Sequence, residues 1–347
     1  MQTSNRDLPP PVEPVRGHGG WRLVIGIGAL IGLLALAVFL PIPSIYAFLP
    51  GPVKSVEGLV EVGGAKTYSS EGDLYLTTVS VDTEITFVKL VAALIDPNKK
   101  IVGEEQVTGG GSQEDVLKQA RQDMRASQQH AEEVALSALG IAEPEANGVR
   151  IAQTAPDSPA SGVLKAGDLI VAVDDSRVST TCQVGSAIAA HDVGDEIQIT
   201  VRRKGRRETF SLSTRPDPTS PNTPIVGILM EDVGYRFDSG LDVKFDIGEI
   251  GGPSAGLMFT LALYDKLTAD DLTAGRKIAG TGEIACDGGV GPIGGIEQKV
   301  AGAEAEGAEI FLAPAANAEA AQGAARDIEV VSVDDFQDAV DYLEGLE

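Results

Sequence analysis

Gly252-Pro253-Ser254-Ala255-Gly256 is the stretch of this sequence best suited to chemistry. It fits G-x-S-x-G, the pattern of a nucleophile elbow, in which a sharp turn exposes a serine above a sheet. A serine hydroxyl is a weak nucleophile and needs a base within hydrogen-bond reach to take its proton. In the α/β-hydrolase order that base is a histidine downstream of the serine. The three histidines, His18, His130 and His191, all precede Ser254, so that order fails. His130 falls among polar neighbours on a helical stretch, where a solvated face is expected, and His191 lies in a separate β-rich segment. The other established base for a serine is lysine. Its ammonium must be desolvated to lose a proton near neutral pH.

The lysines that follow are Lys266, Lys277 and Lys299. Lys266 stands beside Asp265 at the polar end of the helix expected after Ser254, and Lys277 stands beside Arg276 at a strand start. Lys299 differs. Ile296, Lys299, Val300 and Ala303 fall at i, i+3, i+4 and i+7, one helical face. A lysine on an apolar stripe either snorkels at its edge or is buried and basic, and spacing alone leaves both open. Ser254 heads "SAGLMFTLALYDK", whose apolar face is Leu257, Met258, Leu261 and Ala262, with Pro253 suited to a first turn. The serine then either caps the helix or sits where free backbone N–H groups stabilise an oxyanion. The flanking Gly251, Gly252 and Gly256 allow close backbone approach. Gly289-x-Gly291-x-x-Gly294 matches a dinucleotide fingerprint in letters only. Pro292 and Gly295 fit a shaped loop leading into the Lys299 helix better than a βαβ turn. No cofactor or metal is expected.

The elements that must hold these residues fill 347 residues, enough for two or three modest domains, in an ordinary balance of 43% hydrophobic and 22% charged residues. A net charge of −24 argues against nucleic acid as a partner. The two cysteines, Cys182 and Cys286, make no framework and no zinc-type spacing. A bridge between them is not expected, since only the count supports it. Residues 1–22 read as a polar, Pro-rich cytoplasmic tail. "LVIGIGALIGLLALAVFL" from Leu23 to Leu40 carries no charge, and the uncharged stretch runs on to Leu49. About 20 apolar residues span a bilayer as a helix, so residues 23–49 are expected to be a transmembrane anchor in the lipid bilayer, the alternative being a cleaved signal peptide ending near Ser44 and Ala47. Arg6, Arg16 and Arg22 precede it, which puts the N-terminus in the cytoplasm and the rest outside.

Residues 50–146 read as a β-rich segment plus a helix. "TEITFVKLVAALI" falls in its β-rich part, and Ser112 is the expected N-cap of the helix, which stops near Gly140. Residues 147–214 read as a small β-domain with a hairpin at "GDEIQITVRRKGRRETFSLST". "SPASGVLKAGDLIVAVDDSRV" resembles the PDZ domains of bacterial proteases. Such domains bind extended peptides by adding a strand to a sheet edge. The resemblance implies a carboxylate-binding loop before the binding strand, for which Leu139-Gly140-Ile141 is the candidate. The Pro-rich "RPDPTSPNTP" at 215–224 reads as a linker, and 225–347 as a third unit.

The third unit resembles the proteolytic domain of Lon proteases. The matching motifs come in order: Gly-Pro-Ser-Ala-Gly at 252–256, Thr281-Gly282-Glu283-Ile284, the loop Pro292 to Gly295, and Lys299 four residues beyond it. "EIFLAPAANAEAA" and "IEVVSVDDFQDAVDYL" complete the match. The resemblance implies that Ser254 is the nucleophile, Lys299 its general base and Thr281 the group that orients the lysine. It leaves Gly252, Pro253, Ala255 and Gly256 to shape the oxyanion and substrate approach, and no metal is needed. Many Lon proteases carry an acidic residue three before the serine, where this chain has Gly251. The sequence holds no G-x-x-x-x-G-K-[ST], so it supplies no ATPase of its own.

The whole layout resembles the membrane-anchored PDZ–Lon proteins of Gram-positive bacteria. That implies an α+β fold: an N-terminal transmembrane helix, then a PDZ-like β-domain inserted before a Lon-type α/β proteolytic domain, with residues 51–112 packing on 225–347. It further implies an ATP-independent, extracytoplasmic endopeptidase acting on polypeptide substrates, and leaves a homo-oligomer open. The alternative is a PDZ adaptor on a catalytically silent Lon-like scaffold.

Overall fold

The computed structural model describes residues 25, 27, 28, 38–218, 221–248 and 250–346. The tail at 1–22 and most of the expected anchor lie outside them. Among the described residues no helix is long and apolar enough to cross a membrane. The anchor's expected end is corrected: Ile45 to Leu49 are not helical but open the strand Ile45–Ser55.

A six-stranded sheet organises the larger domain. Its order is Glu329–Val333, Ile310–Pro314, Lys277–Gly280, Asp73–Asp82, Ile45–Ser55, Lys100–Gly103. The first four are parallel neighbours, and Ile45–Ser55 runs antiparallel to the strands on either side. Segments before the PDZ-like unit therefore complete the sheet of the C-terminal domain, as expected. Alternation along each strand divides the side chains between two cores. Leu74, Leu76, Ile278 and Leu312 face a helical layer formed by Gly256–Leu267, Gln113–Ala138 and Phe336–Glu344. Tyr75, Ala279, Phe311 and Ala313 face the helix Ile296–Glu306 on the other side. Ser112 caps Gln113–Ala138 as expected, accepting from the Asp115 N–H at 3.2 Å.

Two local expectations are corrected. "TFVKLVAALI" is not a strand: Phe87–Ile95 is a helix, N-capped by the Thr86 side chain. A short apolar run carries no period that separates helix from strand, and here the cap decides. Leu139-Gly140-Ile141 precedes no edge strand, since the next strand, Val149–Thr154, pairs on both sides, with Ile228–Asp232 and with Leu169–Val173. It ends the helix Gln113–Ala138, with Gly140 at φ 64° and its N–H donating to the Ser137 carbonyl, and the Ile141 N–H donating to the Leu136 carbonyl. This is a left-handed helix C-cap.

The PDZ-like sheet has the order Ile228–Asp232, Val149–Thr154, Leu169–Val173, Glu196–Arg203, Arg206–Ser213. Its core includes Ile151, Ile170, Val184, Ile197, Ile199 and Val226. The boundary at 225 is thus corrected. Residues 228–232 pair antiparallel with Val149–Thr154, so the Pro-rich stretch is a return connection within the PDZ-like unit. The Arg-rich hairpin tip is partly tied down, with Arg203 paired to Asp168 at 2.6 Å and to Glu208 at 3.2 Å.

Candidate active site

Ser254 and Lys299 come from opposite layers of the sheet and meet beyond its edge. The strand Lys277–Gly280 ends at Gly280, and Thr281 follows at the parallel strands' C-terminal end, buried, with its N–H donating to the Leu312 carbonyl at 3.1 Å. The strand must pass close to the serine helix there. A Cβ on Gly280 would lie 2.5 Å from Met258 Sδ and 3.1 Å from Leu312 Cβ. Ser254 stands just ahead of the helix Gly256–Leu267. Its hydroxyl is not a cap, because the N-cap is Ala255, which makes no side-chain bond.

Lys299 lies one turn into its helix, and the stripe Ile296, Lys299, Val300, Ala303 is wholly buried, Lys299 being 3% exposed. The snorkelling alternative is excluded. Lys299 Nζ lies 2.8 Å from Ser254 Oγ and 2.8 Å from Thr281 Oγ1. Thr281 Oγ1 donates to the Ser254 carbonyl at 2.9 Å, so its lone pairs are left to accept from the lysine. Burial lowers the Lys299 pKa from 10.5 to about 7, while the charge of Glu283 opposes that fall. A neutral amine in this place donates to Thr281 and turns its lone pair to the serine O–H. By contrast Lys277 is exposed and Lys266 half-exposed, and neither bonds Ser254.

The backbone around the serine is fixed by neighbours. Gly282 N–H donates to the Ser254 carbonyl at 2.9 Å, Ser127 Oγ to the Pro253 carbonyl at 2.9 Å, and Gly252 N–H to the Ala120 carbonyl at 2.8 Å. Gly252 has φ 89°, which favours glycine. Gly256 serves close packing: a Cβ there would lie 2.6 Å from Ile284 Cγ2 and 2.9 Å from its backbone nitrogen. The N–H groups of Gly252 and Gly256 are engaged, the latter by the Pro253 carbonyl, and proline has none. Among the described residues, the N–H groups of Ser254 and Ala255 have no protein partner, which leaves them able to donate to a bound oxygen. A cleft of 540 Å³ opens over this centre. It is lined by Thr77 to Ser80, Gly252 to Ala255, Glu283 and Lys299, among others.

Sequence reasoning missed three parts of the surroundings. His130 is half-buried rather than solvated, and its Nδ1 lies 3.1 Å from the Ile284 carbonyl. Cys182 and Cys286 are joined in a disulfide across 104 residues, contrary to expectation. It ties the PDZ helix Thr181–Ala189 to the turn that follows Glu283–Ile284. No local signal could have found either contact. The third is the PDZ sheet edge at Ile228–Asp232, beside Thr181–Ala189, the other edge being Arg206–Ser213. Asp232 accepts there from the Thr181 N–H at 2.6 Å and from its Oγ1 at 2.9 Å.

Residues 137–214 match the PDZ domain family, and residues 246–343 match the Lon protease (S16) C-terminal proteolytic domain. A Lon protease of Roseiflexus castenholzii is 46% identical over 67 residues, 19% of this chain and 8% of that protein. Lon protease 2 of Bacillus subtilis is 31% identical over 112 residues, 32% of this chain and 19% of that protein. Lon protease 1 of the same organism is 41% identical over 141 residues, 41% of this chain and 16% of that protein. The chain thus spans less than a fifth of the length of these relatives. Among solved structures, the PDZ domain of the SdrC-like protein from Listeria innocua is 30% identical, covering 24% of this chain and 94% of that one, with a TM-score of 0.23. The chain therefore carries a PDZ domain and a Lon-type proteolytic domain.

Proposed function

We propose that this chain is a membrane-anchored serine endopeptidase with a Ser254–Lys299 dyad, working without ATP. The observation that carries the reading is Lys299 Nζ, desolvated and 2.8 Å from Ser254 Oγ. The neutral amine takes the serine proton as Oγ attacks the scissile carbonyl carbon. The N–H groups of Ser254 and Ala255 receive the developing oxyanion. The ammonium formed on Lys299 then protonates the leaving amine, giving an acyl-enzyme on Ser254. Water, activated by the same amine, hydrolyses it. Thr281 holds the lysine's direction throughout.

The PDZ domain selects polypeptide substrates, which add as a strand along Ile228–Asp232. The apolar stretch from Leu23 holds the chain in the membrane, with both domains on the extracytoplasmic side. A disulfide between the domains suits an oxidising compartment and supports that side.

The test is cleavage of unfolded polypeptide by purified Ser254→Ala and Lys299→Ala. Each should lose turnover while keeping the parent's circular dichroism spectrum. Full turnover by either variant removes the dyad.

A further inference from the structure

The helix Phe87–Ile95 turns its apolar face outward. Phe87, Val88, Val91, Leu94 and Ile95 are all exposed, Leu94 at 72% and Ile95 at 77%. They stand at i, i+1, i+4, i+7 and i+8, the spacing of a single helical face. Only Ala93 of the helix is buried. Contiguous apolar patches of this kind are uncommon on soluble surfaces and mark contact with a partner or a membrane.

The place of this helix in the chain selects between those occupants. Phe39 and Leu40, the last residues of the apolar run from Leu23 to Leu40, are themselves exposed. The next residue, Pro41, pairs with Thr86, the N-cap of the helix, and the Ile42 N–H donates to the Ile85 carbonyl at 2.7 Å. The apolar stretch therefore ends against the first turn of the exposed helix. A helix of nine residues is about 14 Å long, so its whole apolar face stays close to the point where that stretch ends. Beyond its far end, Lys100 is exposed.

We propose that Phe87–Ile95 is an interfacial helix, its apolar face sunk at the headgroup–acyl boundary of the bilayer beside the anchor. The inference rests on the reading of the apolar stretch as a membrane anchor. It adds a second attachment that holds the proteolytic domain against the lipid surface and fixes its orientation. Helices with one strongly apolar face lie in the interface plane in this way.

The full chain, reconstituted in phosphatidylcholine–phosphatidylglycerol vesicles, tests this by depth-dependent quenching. A nitrobenzoxadiazole probe is attached at Leu94→Cys, Leu30→Cys or Arg206→Cys, in separate proteins. Nitroxides on the lipid chains quench from a shallow or a deep position. Leu94 should be quenched about twofold by the shallow nitroxide, Leu30 by the deep one, and Arg206, at the PDZ hairpin tip, by neither. Quenching at Leu30 without quenching at Leu94 overturns the interfacial helix and keeps the anchor. Quenching at Leu94 alone keeps the helix and overturns the spanning anchor. An unquenched Leu94 probe, with unlabelled Leu94→Cys forming a disulfide-linked dimer, shows that a second copy covers the face, and overturns the inference.

Discussion

Replacing Lys299 by methionine should stabilise the folded chain in acid and weaken it in base. The Lys299 pKa is about 7 in the fold against 10.5 for a free lysine, because burial disfavours the ammonium. Between those values the unfolded chain holds more protons than the folded one, so stability rises with pH. The ionisation penalty is fully present below about pH 7 and is gone above about pH 10.5. A gap of about 3.5 units at 1.36 kcal/mol each makes it roughly 5 kcal/mol at pH 6, about 2 kcal/mol at pH 9 and under 1 kcal/mol at pH 10. Methionine has similar volume and no such penalty, but it forfeits the bonds to Ser254 and Thr281, about 1 kcal/mol each. The net effect is a gain of roughly 3 kcal/mol at pH 6, a crossing near pH 9 and a loss beyond it. Urea midpoints for parent and variant at pH 6, 8 and 10 read this directly. A methionine variant less stable at pH 6, or a difference that does not move with pH, refutes a desolvated Lys299.

Other outcomes follow from the same geometry. Peptidase kcat/KM should rise about tenfold from pH 6 to pH 8 and then level, as one group near 7 loses its proton. Glu283→Gln should move that limb to lower pH, since the Glu283 charge holds the lysine pKa up; a limb still climbing at pH 10 contradicts this. Thr281→Val removes the acceptor for Lys299 and the donor to the Ser254 carbonyl inside a buried site, and should lower kcat by one to two orders of magnitude, roughly 1–3 kcal/mol. Thr281→Ser should restore most of the rate if the hydroxyl is what matters. Changing both Cys182 and Cys286 to serine opens a closure of 104 residues and should cost roughly 2–5 kcal/mol in urea unfolding. An unchanged midpoint would show that the two domains are held together without the bridge.

Local chemistry made the centre of the site readable from sequence. Ser254 lies in a five-residue motif, and Ile296, Val300 and Ala303 place Lys299 on an apolar face by their spacing, while its burial is seen only in the fold. Thr281 carries no such pattern and entered only with the family resemblance. What stayed hidden was non-local or ambiguous in period. The strand Ile228–Asp232 joins the PDZ sheet by pairing with residues almost 80 positions earlier. Cys182 and Cys286 meet only once two domains have folded and docked. Phe87–Ile95 looks like a strand by composition, yet it is a helix whose apolar face points outward. Leu139-Gly140-Ile141 looks like a binding loop until the strand after it is seen to be paired on both sides.

The most direct test of the dyad is chemical. A peptidyl fluorophosphonate, which reacts with an activated serine, is added at neutral pH to the parent and to Lys299→Met, and the adduct is located by peptide mass mapping. A single adduct on Ser254 of the parent, formed at least a hundredfold faster than on Lys299→Met, is the predicted result. Equal labelling of the two proteins, or an adduct on another residue, would contradict it.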